Sequence, residues 1–128
     1  MSLREIAILY VDDEELNLFI FKNNFESNYP VFTASSGEEG LEILKQNSDK
    51  IIVVISDMRM PTMSGIEFIS KAKALYDNIV YFILTGYNSN KEIEQALEDK
   101  LIAKWFSKPF SVENIESAIQ EALPELDI

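Results

Sequence analysis

Two adjacent carboxylates at Asp12 and Asp13, a third at Asp57, a hydroxyl at Thr85 and an amine at Lys108 form a set with the chemistry of phosphoryl transfer. Each stands at or just beyond the end of a short apolar run. Three carboxylates brought together repel one another, and a raised pKa or a bound cation relieves the repulsion. With only oxygen ligands on offer the cation should be hard, and Mg²⁺ in octahedral geometry with several retained waters is the natural choice. A carboxylate beside such an ion can attack a phosphoryl group whose equatorial oxygens the metal neutralises. Lys108 would supply a point charge, and Thr85 a hydrogen bond to a phosphoryl oxygen. Taken singly, each residue has an ordinary explanation: an aspartate as helix cap or turn former, a threonine before Gly86 as turn chemistry, a solvated lysine before Pro109. Four such accidents at four strand ends are improbable together.

The runs that must position these groups are Ile6 to Val11, Val31 to Ala34, Ile51 to Ile55, Ile79 to Leu84 and Ala103 to Phe106. They are rich in Val, Ile and aromatic residues and lack strict alternation, which suits strands covered on both faces. Between them the periodicity predicts helices. Ser36 and Glu39 have capping-box spacing ahead of a helix from Gly37 to Gln46. Further helices are expected over Gly65 to Tyr76 and Asn90 to Asp99, and a last one is capped by Ser111, with a stripe of Val112, Ile115, Ile119 and Ala122, and stopped by Pro124. The first helix, Glu14 to Ser27, carries Leu16, Leu18, Phe19, Ile20, Phe21 and Phe25 and is expected to be well buried. Strand and helix alternate five times, which implies an α/β domain with a doubly wound five-stranded parallel sheet and right-handed crossovers. Parallel strands share one carboxyl edge, where open α/β sheets place their sites.

Composition narrows the chemistry further. The 128 residues suit one domain, with 47% hydrophobic residues and no apolar stretch approaching the roughly 20 residues of a membrane span. The chain begins without a secretory signal and has no cysteine, so a soluble, cytoplasmic protein is expected. It has no histidine either, so any imidazole the chemistry needs must come from a partner. A net charge of −11 disfavours direct nucleic-acid binding, since phosphate backbones would be repelled. Neither a Rossmann glycine fingerprint nor a Walker loop is present.

At the reactive positions the sequence resembles a known family. Tyr10-Val11-Asp12-Asp13-Glu14, Ser56-Asp57-Met58-Arg59-Met60-Pro61 through Gly65, Leu84-Thr85-Gly86 and Trp105-Phe106-Ser107-Lys108-Pro109-Phe110 look like the motifs of the receiver domain of two-component response regulators, of the chemotaxis-regulator-like kind. The match covers nearly the whole chain, in order, and residues 1–128 are expected to form a single receiver domain. The resemblance implies a flavodoxin-like fold with strand order 2-1-3-4-5. It implies Mg²⁺ held by Asp13, Asp57 and the carbonyl of Arg59, with Asp12 acting largely through water. Asp57 would be the phosphoacceptor, Lys108 and Thr85 its catalytic companions, and a sensor histidine kinase or histidine phosphotransfer protein the donor. A cis peptide is implied between Lys108 and Pro109. The expected function is a phosphorylation-dependent signalling switch of a phosphorelay that catalyses only its own modification.

Departures from the family pattern carry information. Trp105 stands where tyrosine or phenylalanine is usual, at the position that swaps between exposed and inward states as the threonine moves. Lys104 replaces the acidic residue of dimerising transcription-factor receivers, which weakens the expectation of their dimer. Arg59 and Tyr87, two residues beyond Asp57 and Thr85, are bulky and unsuited to orienting a hydrolytic water, so slow self-dephosphorylation is expected. A haloacid-dehalogenase-type phosphohydrolase uses similar groups but needs Asp-x-Asp for its general acid-base, and here the second position is Arg59. A receiver-like binding module that works without phosphate is the third alternative. The Asp-Met-Arg-Met-Pro run resembles receivers fused to HD-type phosphodiesterases or transcriptional activators.

Overall fold

The computed structural model describes residues 6–86 and 90–126. Among these, strands and helices alternate in the order β1 (Ala7–Val11), α1 (Glu15–Phe25), β2 (Val31–Ala34), α2 (Gly37–Asn47), β3 (Ile51–Asp57), α3 (Gly65–Leu75), β4 (Val80–Thr85), α4 (Lys91–Glu98), β5 (Lys104–Ser107) and α5 (Val112–Leu126). The sheet is parallel throughout, in the order β2-β1-β3-β4-β5. Successive side chains on β1 serve opposite layers, as the pleat requires. Leu9 and Val11 join a core with Leu44 of α2, Phe68 and Ile69 of α3 and Ile93 of α4. Ile8 and Tyr10 join a second core with Phe21 and Phe25 of α1 and Ile115 and Ile119 of α5. Two cores, one on each face, explain why the strand runs are continuously apolar.

Three expected helix starts are set by local hydrogen bonds. Ser36 accepts from the Glu39 N–H at 3.1 Å, and the Glu39 carboxylate reaches back to the Ser35 N–H. Asn90 accepts from the Ile93 N–H at 3.0 Å, and Ser111 from the Asn114 N–H at 3.2 Å. Ser64 does the same for α3, accepting from the Glu67 N–H at 3.2 Å, a cap the pattern analysis did not identify.

The strands β3 and β4 end on Asp57 and Thr85, as expected of the polar groups that close those runs. Two expectations are corrected. The helix α1 is not well buried: Phe21 and Phe25 are enclosed, but Leu16 is 67% exposed, Phe19 63% and Ile20 40%. A helix lying on one face of a sheet buries one stripe, and α1 carries apolar residues beyond that stripe. Pro124 does not stop α5, which continues to Leu126. A proline removes only its own N–H and crowds the turn before it, leaving the residues after it free to stay helical. No described helix is long and apolar enough to cross a membrane.

Gly65 begins α3 directly against the end of β3. Its N–H donates to the Met58 carbonyl at 2.8 Å, and a Cβ at this position would fall on the Asp57 carbonyl oxygen. Backbone cannot swing aside as a side chain can, so only glycine permits this approach. We expect Gly65→Ala to destabilise the fold by about 1–3 kcal/mol, the usual cost of overpacking. Gly86→Ala, where nothing lies within 4 Å, should stay within about 0.5 kcal/mol of the parent. Urea unfolding of both variants checks this, and equal midpoints would refute the steric argument.

Candidate functional site

The parallel register delivers the expected groups to one edge. Val11 lies beside Ser56, Asp57 beside Leu84, and Thr85 beside Ser107, so Asp12, Asp57, Thr85 and Lys108 are each the last residue of a strand or the first after one. The loop carrying Lys108 is tied to β4 by its own N–H, which donates to the Thr85 carbonyl at 2.7 Å. The Lys108–Pro109 peptide is cis. Asp13, Glu14, Asp57, Arg59, Thr85, Gly86 and Lys108 line an open cleft of about 420 Å³.

At its floor the Lys108 ammonium sits 3.2 Å from Asp12 Oδ2 and 3.2 Å from Asp57 Oδ1. Asp12 is fully buried and heavily solvated by protein. Its Oδ1 accepts from the Glu14 N–H at 3.0 Å, and its Oδ2 also accepts from the Tyr10 hydroxyl at 2.7 Å and Asn17 Nδ2 at 3.1 Å. Asp57 is nearly as buried, whereas Asp13 is exposed on the open side. Carboxylate oxygens of Asp12, Asp13 and Asp57 all lie within 4.8 Å of one another. The Ser56 hydroxyl donates to the Asp57 carbonyl at 2.9 Å.

The electrostatics follow from that crowding. Burial pushes the Asp57 carboxyl above its ordinary value and the neighbouring Asp12 charge adds to the effect, outweighing Lys108. Burial acts to lower the Lys108 ammonium, but Asp57 and Asp12 together outweigh it and hold the lysine above its usual value. Burial and the Asp12 carboxylate raise the Tyr10 phenol, which therefore remains a hydrogen-bond donor. Three clustered carboxylates, two of them paired with one ammonium, leave excess negative charge that a hard divalent cation would relieve, and the all-oxygen donor set fits such an ion.

Of the expected site residues, Asp13, Asp57, Arg59, Thr85 and Lys108 line the cleft, and Asp12 is buried in contact with Lys108. Arg59 is exposed at the rim. Tyr87, the other residue expected to govern phosphoryl lifetime, lies outside the described residues. Trp105 on β5 is half-buried and packs against the core that holds Ile93 and Ala96 of α4. Lys104, one residue before it, pairs with Glu121 of α5 at 3.1 Å. Sequence reasoning missed Tyr10 and Asn17 as partners of Asp12. The signal for Tyr10 was available: residues two apart on a strand share a face.

Comparison with known proteins agrees with this geometry. The family model described as response regulator receiver domain matches residues 8–120. Sporulation initiation phosphotransferase F of Bacillus subtilis is 30% identical over 118 residues, covering 91% of this chain and 93% of that protein. The hydrogenase transcriptional regulatory protein HoxA of Cupriavidus necator is 24% identical over 123 residues, 96% of this chain but only 25% of HoxA. The crystal structure of a response regulator receiver domain protein from Clostridium thermocellum superposes with a TM-score of 0.84 at 32% identity, covering 94% of this chain and 95% of that one. With its strand order, its clustered carboxylates and this match across most of its length, the chain belongs to the response regulator receiver domain family.

Proposed function

We propose that this chain, a phosphorylation-dependent signalling switch by family, accepts a phosphoryl group on Asp57 from a histidine of a partner protein. The observation that carries the reading is the meeting of Asp12, Asp13 and Asp57 in an open cleft, with Lys108 ion-paired to two of them. As the donor N–P bond breaks, its electron pair leaves with the imidazole and a bond forms from an Asp57 carboxylate oxygen to phosphorus. Lys108 and Thr85 stand on the cleft wall to meet the phosphoryl oxygens. Mg²⁺ held by Asp13, Asp57 and the Arg59 carbonyl would neutralise charge on those oxygens. Asp12, already accepting from four donors, is suited to an indirect role through water. Thr85 and half-buried Trp105 are the proposed route from the site to the outer surface.

A haloacid-dehalogenase-type hydrolase is disfavoured by Arg59, which occupies the position of the second aspartate and cannot act as its acid-base. Residues 1–128 are read as one receiver domain that modifies itself and turns over no external substrate. The partner is a sensor histidine kinase or histidine phosphotransfer protein. Leu16, Phe19 and Ile20 support a docking role for α1, because they expose an apolar patch on the helix that follows Asp12 and Asp13.

Incubation with Mg²⁺ and acetyl phosphate should add one phosphoryl group, visible by intact-mass spectrometry and absent from Asp57→Ala. Equal labelling of that variant would refute the assignment. After donor removal, Arg59→Asn should lose the label faster than the parent, by roughly threefold or more, if the guanidinium pairs with or covers the phosphoryl group. Equal decay would remove Arg59 from the account of lifetime.

Repulsion among Asp12, Asp13 and Asp57 predicts that Mg²⁺ stabilises the fold by mass action, about 2.7 kcal/mol at a hundredfold excess over Kd. A single melting transition should shift upward with Mg²⁺, and Asp13→Asn should reduce the shift. Indifference of the parent to Mg²⁺ would count against a metal site.

If α1 docks the donor, Phe19→Glu should slow transfer from a phosphorylated histidine phosphotransfer protein by about tenfold or more, the scale of losing one buried aromatic anchor. Labelling by acetyl phosphate, which needs no docking surface, should be unchanged. Equal transfer rates from the protein donor would remove α1 from the interface.

A further inference from the structure

Tyr10 lies in the middle of an apolar strand, where its ring does what a core residue should. It is 1% exposed and stacks on Phe21, with centroids 4.2 Å apart and planes 13° from parallel. Its hydroxyl does something else. It donates to Asp12 Oδ2, the same oxygen that accepts from Asn17 and from Lys108. The three distances are 2.7, 3.1 and 3.2 Å, with the lysine the longest. A carboxylate offers about four lone-pair positions over two oxygens, so three donors on one oxygen exceed its share. Competition among them falls on the donor that has an alternative, and Lys108 has one in Asp57 Oδ1 at 3.2 Å. The phenol, enclosed by packing, stays where it is.

We propose that Tyr10 is a positioning residue for phosphoryl transfer: by occupying Asp12 Oδ2 its hydroxyl loosens that carboxylate's hold on Lys108. The inference rests on Asp57 being the phosphoacceptor. Before transfer the ammonium is shared between two buried carboxylates. Once phosphorus is bonded to Asp57, new negative oxygens appear on that side, and the lysine must leave Asp12 to serve them. Asp12 is needed nearby for its charge, yet unshared it would retain the lysine. A buried phenol held in place by its stacking on Phe21 divides the charge of Asp12 and resolves that conflict. Asn17 contributes in the same sense from α1, but at a longer distance and with a half-exposed side chain.

The test is Tyr10→Phe, which keeps the ring and its stacking and removes only the hydroxyl. Labelling rates with acetyl phosphate at saturating Mg²⁺ are measured across donor concentration in the parent, Tyr10→Phe, Asp12→Asn and the double variant, with melting temperatures in parallel. Tyr10→Phe should lower the saturating rate by about tenfold, at the low end for loss of one oriented donor, while leaving the half-saturating donor concentration unchanged. In the Asp12→Asn background the same change should have no effect on rate, because the charge through which Tyr10 acts is gone. A parental rate in Tyr10→Phe would overturn the proposal. So would an equal slowing in the Asp12→Asn background, which would assign Tyr10 a purely structural role. Failure of the parent to label at Asp57 would instead overturn the assignment of the phosphoacceptor, and this inference with it.

Discussion

The structure depends on one constraint: a lysine ammonium held between two buried carboxylates at the carboxyl edge of a parallel sheet. Neither Asp12 nor Asp57 could be buried at tolerable cost without Lys108 and the donors around it, because an unpaired charge in a protein interior is strongly destabilising. The lysine must in turn arrive from the far end of the chain, 96 residues from Asp12. Closing that distance requires β5 in register with β4, so that Ser107 lies beside Thr85 and Lys108 emerges over the cleft.

The site is therefore held by a pair of ion pairs that leaves negative charge uncompensated. Three carboxylates cluster, two of them paired with Lys108, and the buried Asp57 is pushed toward its protonated form by burial and by Asp12. Such a centre is improved by anything that brings positive charge, or that replaces a compact carboxylate by a group able to satisfy Lys108 and Thr85 together. The two carboxylates that follow β1 are not equivalent. Asp12 is enclosed and saturated with hydrogen bonds, whereas Asp13 is exposed and available. Adjacent residues at a strand end point to different surroundings, which is why one pair can supply both an anchored charge and a free ligand.

Division of the sheet into two cores also divides the labour. On one face α2, α3 and α4 cover Leu9, Val11 and Ile83, and Trp105 packs at the margin of that core. On the other, α1 and α5 cover Tyr10, Phe82 and Leu84. Tyr10 thus connects the α1 side to Asp12, while Thr85 and Trp105 sit on neighbouring strands on the α4 side of the site. The apolar residues that α1 leaves in water are a cost that core formation does not explain.

Much of this was legible in the linear sequence. Runs of Val and Ile too continuous for a half-solvated sheet, helical stripes between them, and polar groups at the run ends specify a doubly wound parallel sheet, and with it the convergence of Asp12, Asp57, Thr85 and Lys108. These inferences succeed because periodicity and strand direction are local properties that the backbone converts directly into geometry. What the sequence left open depends on contacts between distant elements. Whether α1 is buried turns on how much of its circumference the sheet can cover, and that exposes Phe19 while enclosing Phe21. The partner of Lys104 depends on where α5 lies, and the answer is Glu121. The hydrogen bonds that saturate Asp12 come from β1, α1 and the loop after β5, and only the packed fold decides that they meet on the same carboxylate oxygen.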